Sequence, residues 1–527
     1  MALWDDPDFA SVRSTLAARM LASSDKESLQ PKLTPQELGE FASLLDNAFT
    51  LGYIQDPREH RPAAIPAGAK PPAWDGTFFV YNRAGKEALL SKAILRMRSA
   101  AKETLRISQV TLAGVPVLKI ENKTNSSYWV ENGQYAVGAG EAAVMEEILN
   151  RLKNTSPQET SLAQSAAYQE SQSVVGSGVL EFFLRVPDLK ELIPASNPGP
   201  FQAQKLLDVV RLDAVHSIAG HVTLDGARTH VQAAILGDTD PGTPFDTWAN
   251  GQTASASLAF APAETISYTS GHLNLLGIYD MIKRIGHAAF PAGQQGNADL
   301  IDIMAQQRFG MPLTNAVRLF TGEFASMQTS PSLDSAKQVF LLSISNKPDT
   351  LKLLRAIFGD RVTSERNEGD ATLLKISLRG NQGSAGVAQW NFFQVAVTPD
   401  MVICASSIDT LRETLAYHAK ASTTAGLASL PQFQANRGGT PPNLIGLSYF
   451  DFQKVDWQAA KDHRLQDGKK PQIAKSAAGI GTASTDPSKI PDWVSQVNAQ
   501  ALSRHLHTSW SVSWKDAKGI HWDQWIE

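Results

Sequence analysis

The sequence of 527 residues contains a single cysteine, Cys404. That excludes an intramolecular disulfide and a cysteine-built zinc site. Cys404 lies on the apolar run Met401-Val-Ile-Cys-Ala405, where a buried structural thiol is expected rather than a nucleophile. No apolar stretch approaches the ~20 residues that a membrane-crossing helix needs, so no transmembrane segment is expected in this chain. No lysine or arginine run occurs and the formal charge is only −4, so no nucleic-acid partner is expected. Catalytic signatures are missing too: there is no G-x-S-x-G elbow, no G-x-x-x-x-G-K-[ST] phosphate loop and no H-E-x-x-H zinc helix. Gly138-Ala-Gly140 stands between a strand and a helix, yet Ala143 occupies the place of the third glycine of a dinucleotide fingerprint. Ala405-Ser-Ser407 holds the corresponding place later in the chain and reads as a helix cap. No cofactor is expected.

What the sequence does contain is a repeated order of elements. His216-Ser-Ile-Ala-Gly-His221 through Asp225-Gly226 to His230 reads as two strands joined by a turn, and so does His507 through Asp516 to His521. Upstream, Phe78-Phe-Val-Tyr81 leads into a helix at Asn82, as Val339–Ile344 does at Asn346. Further strands follow at 117–120 and 373–377. Then come two tight hairpins, turning at Asn132-Gly133 and at Pro399-Asp400. Each hairpin feeds a helix, 141–152 and 408–418, and each helix leads on to a strand, 179–183 and 444–449. Helical periodicity is clear over 37–48, 86–97, 275–285 and 409–417.

The hydrophobic fraction is 43% and the charged fraction 19%, values of a globular chain long enough for more than one core. The hairpins are short and antiparallel, so the expected fold class is α+β. Two diverged tandem copies of a mixed, mainly antiparallel sheet-plus-helices domain are expected: 1–236, a linker over 237–253 around Gly237–Pro244, and 254–527. The first copy lacks an opening strand equivalent to 258–268, and Met1 is therefore read as an internal start, a processing product or a misassigned codon. The proline-rich stretches 57–72 and 193–200 are read as breaks, and 467–491 as a mobile surface loop.

Two groups of side chains are candidate sites. His505, His507 and His521 form a candidate metal site, because neutral imidazole suits zinc, copper or nickel. His216, His221 and His230 are its looser counterpart, and solvated polar positions are the plainer reading of both. Trp510 and Trp514 share one face of a strand, with Trp522 and Trp525 on the return strand; such rings can seat a sugar or a partner protein. Cover for a helix such as 497–502 is the plainer reading. For an enzymatic alternative, Asp451, Glu264, His272 and Arg355 are the residues to test.

Ala261-Pro-Ala-Glu-Thr-Ile-Ser-Tyr268, the hairpin 397–407 with its helix, and Leu430-Pro-Gln-Phe433 leading to Phe450-Asp451 carry a resemblance to the DUF3352 family of uncharacterised bacterial proteins. In that family an LPADT-like strand opens the domain, and a strand ending in an aromatic–Asp pair follows the second helix. Phe450-Asp451 fits that pattern, and Val186-Pro-Asp188 fits it more loosely. The resemblance spans most of 255–457 and, more faintly, 74–192. It implies an exported protein, with no activity or catalytic residue to carry over. The location expected is therefore extracytoplasmic, periplasmic or cell-surface, if an upstream signal is missing from this chain, and cytoplasmic otherwise. The function expected is that of a non-catalytic cell-envelope protein: a tandem binding or scaffolding module for an unknown protein, lipid or glycan partner. The alternatives are a hydrolase-type enzyme with its site between the repeats, and a carrier of a hydrophobic ligand.

Overall fold

The structure is a computed structural model that describes residues 44, 47–53, 76–100, 106–121, 126–153, 161–186, 207–226, 228–248, 255–289, 300–332, 337–377, 392–405, 407–421, 423–437, 441, 443–459 and 504–527. The expected breaks at 57–72 and 193–200, the loop at 467–491, the helix at 497–502 and most of the helix at 37–48 lie outside these residues. The chain forms two compact units, which divide between Ser165 and Ala166.

Among the described residues the smaller unit is a six-stranded antiparallel sheet with two helices. Its elements are β1 (Phe49–Tyr53), β2 (Thr77–Asn82), α1 (Glu87–Ala100), β3 (Arg106–Leu112), β4 (Val115–Glu121), β5 (Ser126–Asn132), β6 (Tyr135–Ala139) and α2 (Ala142–Leu152). The strand order is β1-β2-β6-β5-β4-β3. The Asn132-Gly133 turn closes β5 onto β6 as expected, with Gly133 at φ 59°, a conformation that costs glycine nothing. Helix α2 buries Val144, Met145, Ile148 and Leu149, at i, i+1, i+4 and i+5, against Val117, Val130 and Val137.

The larger unit is built on one thirteen-stranded antiparallel sheet. In chain order it contains α3 (Ala166–Val175), β7 (Leu180–Arg185), β8 (Val215–Asp225), β9 (Arg228–Gly237), α4 (Pro244–Trp248), β10 (Ser267–His272) and α5 (Leu275–Ala289). Next come α6 (Leu300–Phe309), α7 (Leu313–Arg318), β11 (Phe320–Gln328), β12 (Gln338–Ile344), α8 (Lys347–Phe358), β13 (Val362–Glu368), β14 (Ala371–Ser377), β15 (Phe392–Val397) and β16 (Met401–Ala405). The last elements are α9 (Ile408–His418), α10 (Pro431–Arg437), β17 (Leu444–Asp451), β18 (Thr508–Asp516) and β19 (Gly519–Ile526). The strand order is β13-β14-β15-β16-β12-β11-β10-β17-β18-β19-β9-β8-β7. The α+β class expected from the short hairpins is the class found.

One large core runs along one face of this sheet. It gathers Tyr268, Ala325, Met327, Leu341, Leu373, Ile403, Leu447, Tyr449, Trp510 and Val512 from the strands, with Leu411 of α9 and Phe433 of α10. The opposite face is covered around β14–β16 by α8, through Leu351 and the partly buried Leu354 and Phe358. Helix ends follow the local sequence. Asn346 caps α8 by accepting from the Asp349 N–H at 2.9 Å, and Ser407 caps α9 by accepting from the Thr410 N–H at 3.0 Å, as its position suggested. Glu141 precedes α2 without a side-chain cap, so the Gly138-Ala-Gly140 turn has no counterpart to the Ser407 cap.

The expected linker does not separate two bodies. Segment 237–248 lies inside the larger unit. Gly237 belongs to β9, and its N–H donates to Lys518 O at 3.0 Å. Phe245 of α4 is buried with Val186 and Val215. The physical reason is the ladder between β9 and β19, which runs from Leu236↔Gly519 to Thr229↔Ile526 and fuses the two terminal hairpins into one sheet. A glycine-and-proline-rich stretch reads as a hinge, but here it wraps back onto the core.

The fusion explains Gly519, and Gly226 is the contrast. A Cβ on Gly519, at φ 146°, would lie 2.0 Å from Ile235 O of β9. Gly226, at φ 57° in the β8–β9 turn, has nothing within 4 Å of a Cβ. Gly226→Ala should cost only the left-handed strain, about 1–2 kcal/mol. Gly519→Ala must also move backbone and should lower the melting temperature by clearly more; equal shifts in a thermal melt would show that the β9–β19 approach is slack.

Candidate functional site

The β9–β19 junction gathers the most unusual polar side chains in the larger unit. Alternation along the strands places His521, Asp523 and Trp525 on one face of β19, with His230, Gln232 and Ala234 opposite them on β9, and the next strand adds His221. This is the face of Trp510, Val512 and Trp514. His221 and His521 are buried. His230 stacks on Trp525 at 4.8 Å and 8°, His221 meets His230 edge-on at 6.3 Å, and Trp514 stacks on His521 at 5.0 Å. His521 Nε2 is 2.8 Å from Asp516 Oδ1. His230 Nε2 lies 3.6 Å from Asp523 Oδ1, an ion-pair distance rather than a hydrogen bond. Burial raises the Asp523 carboxyl above its ordinary range, against the pull of Gln232, His230 and His521. His221 Nδ1 has no hydrogen-bond partner among the described residues.

This arrangement sets the His230 imidazole at ion-pair distance from a partly buried carboxyl. Among the described residues no group of three or more His, Cys, Asp and Glu side chains is arranged to hold a metal ion. The expected metal trio is not brought together. His505 sits in a helical turn and His507 just before β18, whereas His521 pairs beside the β18–β19 turn, opposite Trp514. Thr508 and Trp514 are six residues apart, roughly 20 Å along an extended strand. A hairpin brings facing residues together and holds its two ends apart.

The tryptophans divide as well. Trp510 is 1% exposed and meets Phe433 edge-on at 4.9 Å, so it is core. Trp514 and Trp525 are partly buried on the same face, against histidine rings. Trp522 is three residues from Trp525 and therefore faces the other side of the sheet. The four rings do not form one platform.

A second polar cluster surrounds Glu323 of β11, which is buried. Its carboxylate accepts from the Ser257 N–H at 2.8 Å, the Ala256 N–H at 3.1 Å and the Ser255 hydroxyl. It thereby caps the 3₁₀ turn Ala256–Phe260 from another element. The Tyr268 hydroxyl joins Ser255 at 2.9 Å and Ser257 at 2.8 Å. His272 pairs across the ladder with Glu323; burial lowers its pKa, opposed by the Glu323 charge. Nothing local in the sequence marks this cluster, because its partners are 66 to 68 residues apart.

The four residues of the enzymatic alternative are scattered. Glu264 is exposed, and Arg355 of α8 is engaged by Glu365. Asp451 is buried, receiving the Tyr449 hydroxyl at 3.2 Å and lying 3.4 Å from Lys454 Nζ. It follows Phe450, the partner of Ser267, while His272 ends β10 at its other side. Asp451 and His272 are roughly 20 Å apart along the strand. Cys404 is partly buried against the α8 core, and burial pushes its thiol up to about 11.

Compared with known proteins, the chain matches no protein-family model, no curated protein and no solved structure.

Two outcomes follow from these environments. A raised folded-state pKa makes Asp523 contribute stability below its unfolded pKa, and that contribution is lost as pH rises through the folded value. Asp523→Asn should therefore raise the melting temperature at pH 7, and the gain should shrink as the pH is lowered through the carboxylate range; a loss at pH 7 would mean that the ionised carboxylate is needed at the seam. Cys404 should alkylate slowly at pH 8, where a thiol of pKa about 11 is roughly one part in a thousand thiolate. Rapid labelling of the folded protein at pH 8 would contradict its packing.

Proposed function

We propose that the chain is two diverged copies of one module and that it serves as a non-catalytic binding or scaffolding protein of the bacterial cell envelope. The observation that carries the two-copy reading is strand order. In the smaller unit β3-β4-β5-β6-β2-β1 follow one another, and in the larger sheet β13-β14-β15-β16-β12-β11 do. The elements arise in the same chain order in both cases. Apart from β10, the remaining strands mirror each other across the β9–β19 ladder, as β7-β8-β9 and β17-β18-β19. Packing repeats too: Tyr168 of α3 meets Phe183 of β7 edge-on at 5.2 Å, and Phe433 of α10 meets Tyr449 of β17 at 5.6 Å and 69°. On this reading the first copy is split between the two compact units, and its boundary at 236 is one of ancestry rather than of folding.

The binding role is supported by apolar side chains left open on the sheet: Phe182 and Leu184 of β7, Phe324 of β11 and Phe340 of β12. They lie as two neighbouring pairs at separate places on the sheet, and apolar residues exposed side by side, rather than singly, mark a partner surface. The envelope location rests on the DUF3352 resemblance. The test is fractionation of the native bacterium combined with a photoreactive residue at position 340. A discrete adduct in the envelope fraction is expected. Recovery of the chain in the cytosol without an adduct overturns the proposal.

A further inference from the structure

We propose that the outer edge of β7 is a strand-acceptor site, and that its occupant is an extended polypeptide segment of the β10 type, added antiparallel to β7. The proposal rests on the two-copy reading. The hairpins set the correspondence: Asp225↔Arg228 and Asp516↔Gly519 each close a two-residue turn. Counting back from the two aspartates, Val222 corresponds to Ser513 and Ser217 to Thr508. Their partners on the next strand are Leu180 and Arg185 of β7, and Gly446 and Asp451 of β17. Phe183 therefore holds the place of Tyr449. In the second copy β17 has a further neighbour, β10, with Tyr268 opposite Tyr449 and Gly271 opposite Gly446. Among the described residues no strand pairs with β7 on that side.

The two ends of the larger sheet carry opposite chemistry. At one end β13 reads Val-Thr-Ser-Glu-Arg-Asn-Glu, and its Glu365 and Glu368 are engaged by Arg355 and Arg412. Charges of this kind blunt an edge against further pairing. At the other end β7 reads Leu-Glu-Phe-Phe-Leu-Arg. Leu180, Phe182 and Leu184 alternate on one face at 54%, 49% and 41% exposure. Phe183, on the other face, packs against α3. Glu181 and Arg185 are exposed too, but alternation puts them on the Phe183 face, where Glu181 accepts from the Gly178 N–H at 3.1 Å. The Leu180, Phe182 and Leu184 face carries no charge and is suited to strand addition, in which backbone hydrogen bonds give affinity and alternate side chains give specificity. The β10 precedent defines the occupant. It carries a large ring opposite Phe183 on the helix side, and side chains opposite Phe182 and Leu184 that cover them. The smaller unit repeats the pattern on its own: β1 corresponds to β11, which also pairs with β10, and β1 is an edge strand whose Phe49, Leu51 and Tyr53 are exposed.

The test uses the full chain and a synthetic peptide copying its residues 265–274, with a scrambled peptide as control. Hydrogen exchange of amides 179–185 should slow by roughly tenfold or more at saturating β10 peptide and not with the scrambled one. The double substitution Leu180→Asp and Leu184→Asp should abolish that protection while leaving the melting temperature unchanged, since both side chains are exposed. Protection of 444–451 instead would mean exchange with the resident β10 and would overturn the proposal. So would 179–185 already protected in a dimer dissociated by the double variant, which would make a second copy the occupant. The two-copy reading has a separate readout, the superposition of α3–β9 on α10–β19 in an experimental structure. If that holds and the peptide has no effect, only the acceptor site fails; if it does not hold, the parent reading fails.

Discussion

The antiparallel ladder between β9 and β19 is the interaction on which the larger unit depends. Each terminal hairpin would otherwise expose a strand edge, and an exposed edge invites pairing with another chain. Pairing them with each other satisfies both rows of backbone groups and makes one sheet from segments almost 300 residues apart in sequence. The ladder also determines which side chains meet. His230, Trp525, Asp523 and His521 form a cluster only because Thr229↔Ile526 and Leu236↔Gly519 fix the register. A slip of one residue would send that whole set to the other face.

The same constraint explains the polar character of the seam. Two hairpins that both buried only leucine and valine there could slide or pair in alternative registers at little cost. A carboxylate held in a partly buried place, between Gln232 and His230, is satisfied in one register only. Burial holds its carboxyl above the ordinary range, which fits a positioning role better than a strong ion pair. Glu323 acts in a related way at β10 and β11. It ties the 3₁₀ turn Ala256–Phe260, just before β10, to a strand from later in the chain.

Much of the local structure was legible in the residues. Helix α9 spans the residues its periodicity and the Ser407 cap indicate, and the two tight hairpins turn where Asn132-Gly133 and Pro399-Asp400 require. Local chemistry writes such features. The domain boundary was not legible, because Gly237–Pro244 has the composition of a linker while Phe245, just beyond it, is buried by residues from Val186 to Ile520. The metal trio failed for a similar reason. Spacing along the sequence placed His505 and His507 on the strand, but β18 begins at Thr508, and His521 lies near the other end of the hairpin. The Glu323 cluster had no local signal, since a serine pair and a glutamate 66 residues later form no pattern that a reader of sequence can weigh.

The two sheet ends show how one architecture can be closed or open. β13 carries glutamates held by arginines from α8 and α9, so a strand arriving there would meet two engaged ion pairs and solvated polar side chains. β7 carries leucine and phenylalanine at alternate positions, and beside it Phe182 lies across Gly220, where a Cβ would sit 2.5 Å from the ring. Phe324 of β11 lies across Gly271 of β10 at the same distance. A ring laid over a glycine on the neighbouring strand shields backbone that a side chain would otherwise cover. At Gly271 that device sits inside the sheet, between paired strands. At Gly220 it sits one strand from the edge, so Phe182 already shelters the backbone on its inner side, and among the described residues no strand lies on its outer side. A strand added to β7 would give that ring the second neighbour that Phe324 has, and would turn the last apolar stripe of the sheet into an interior position.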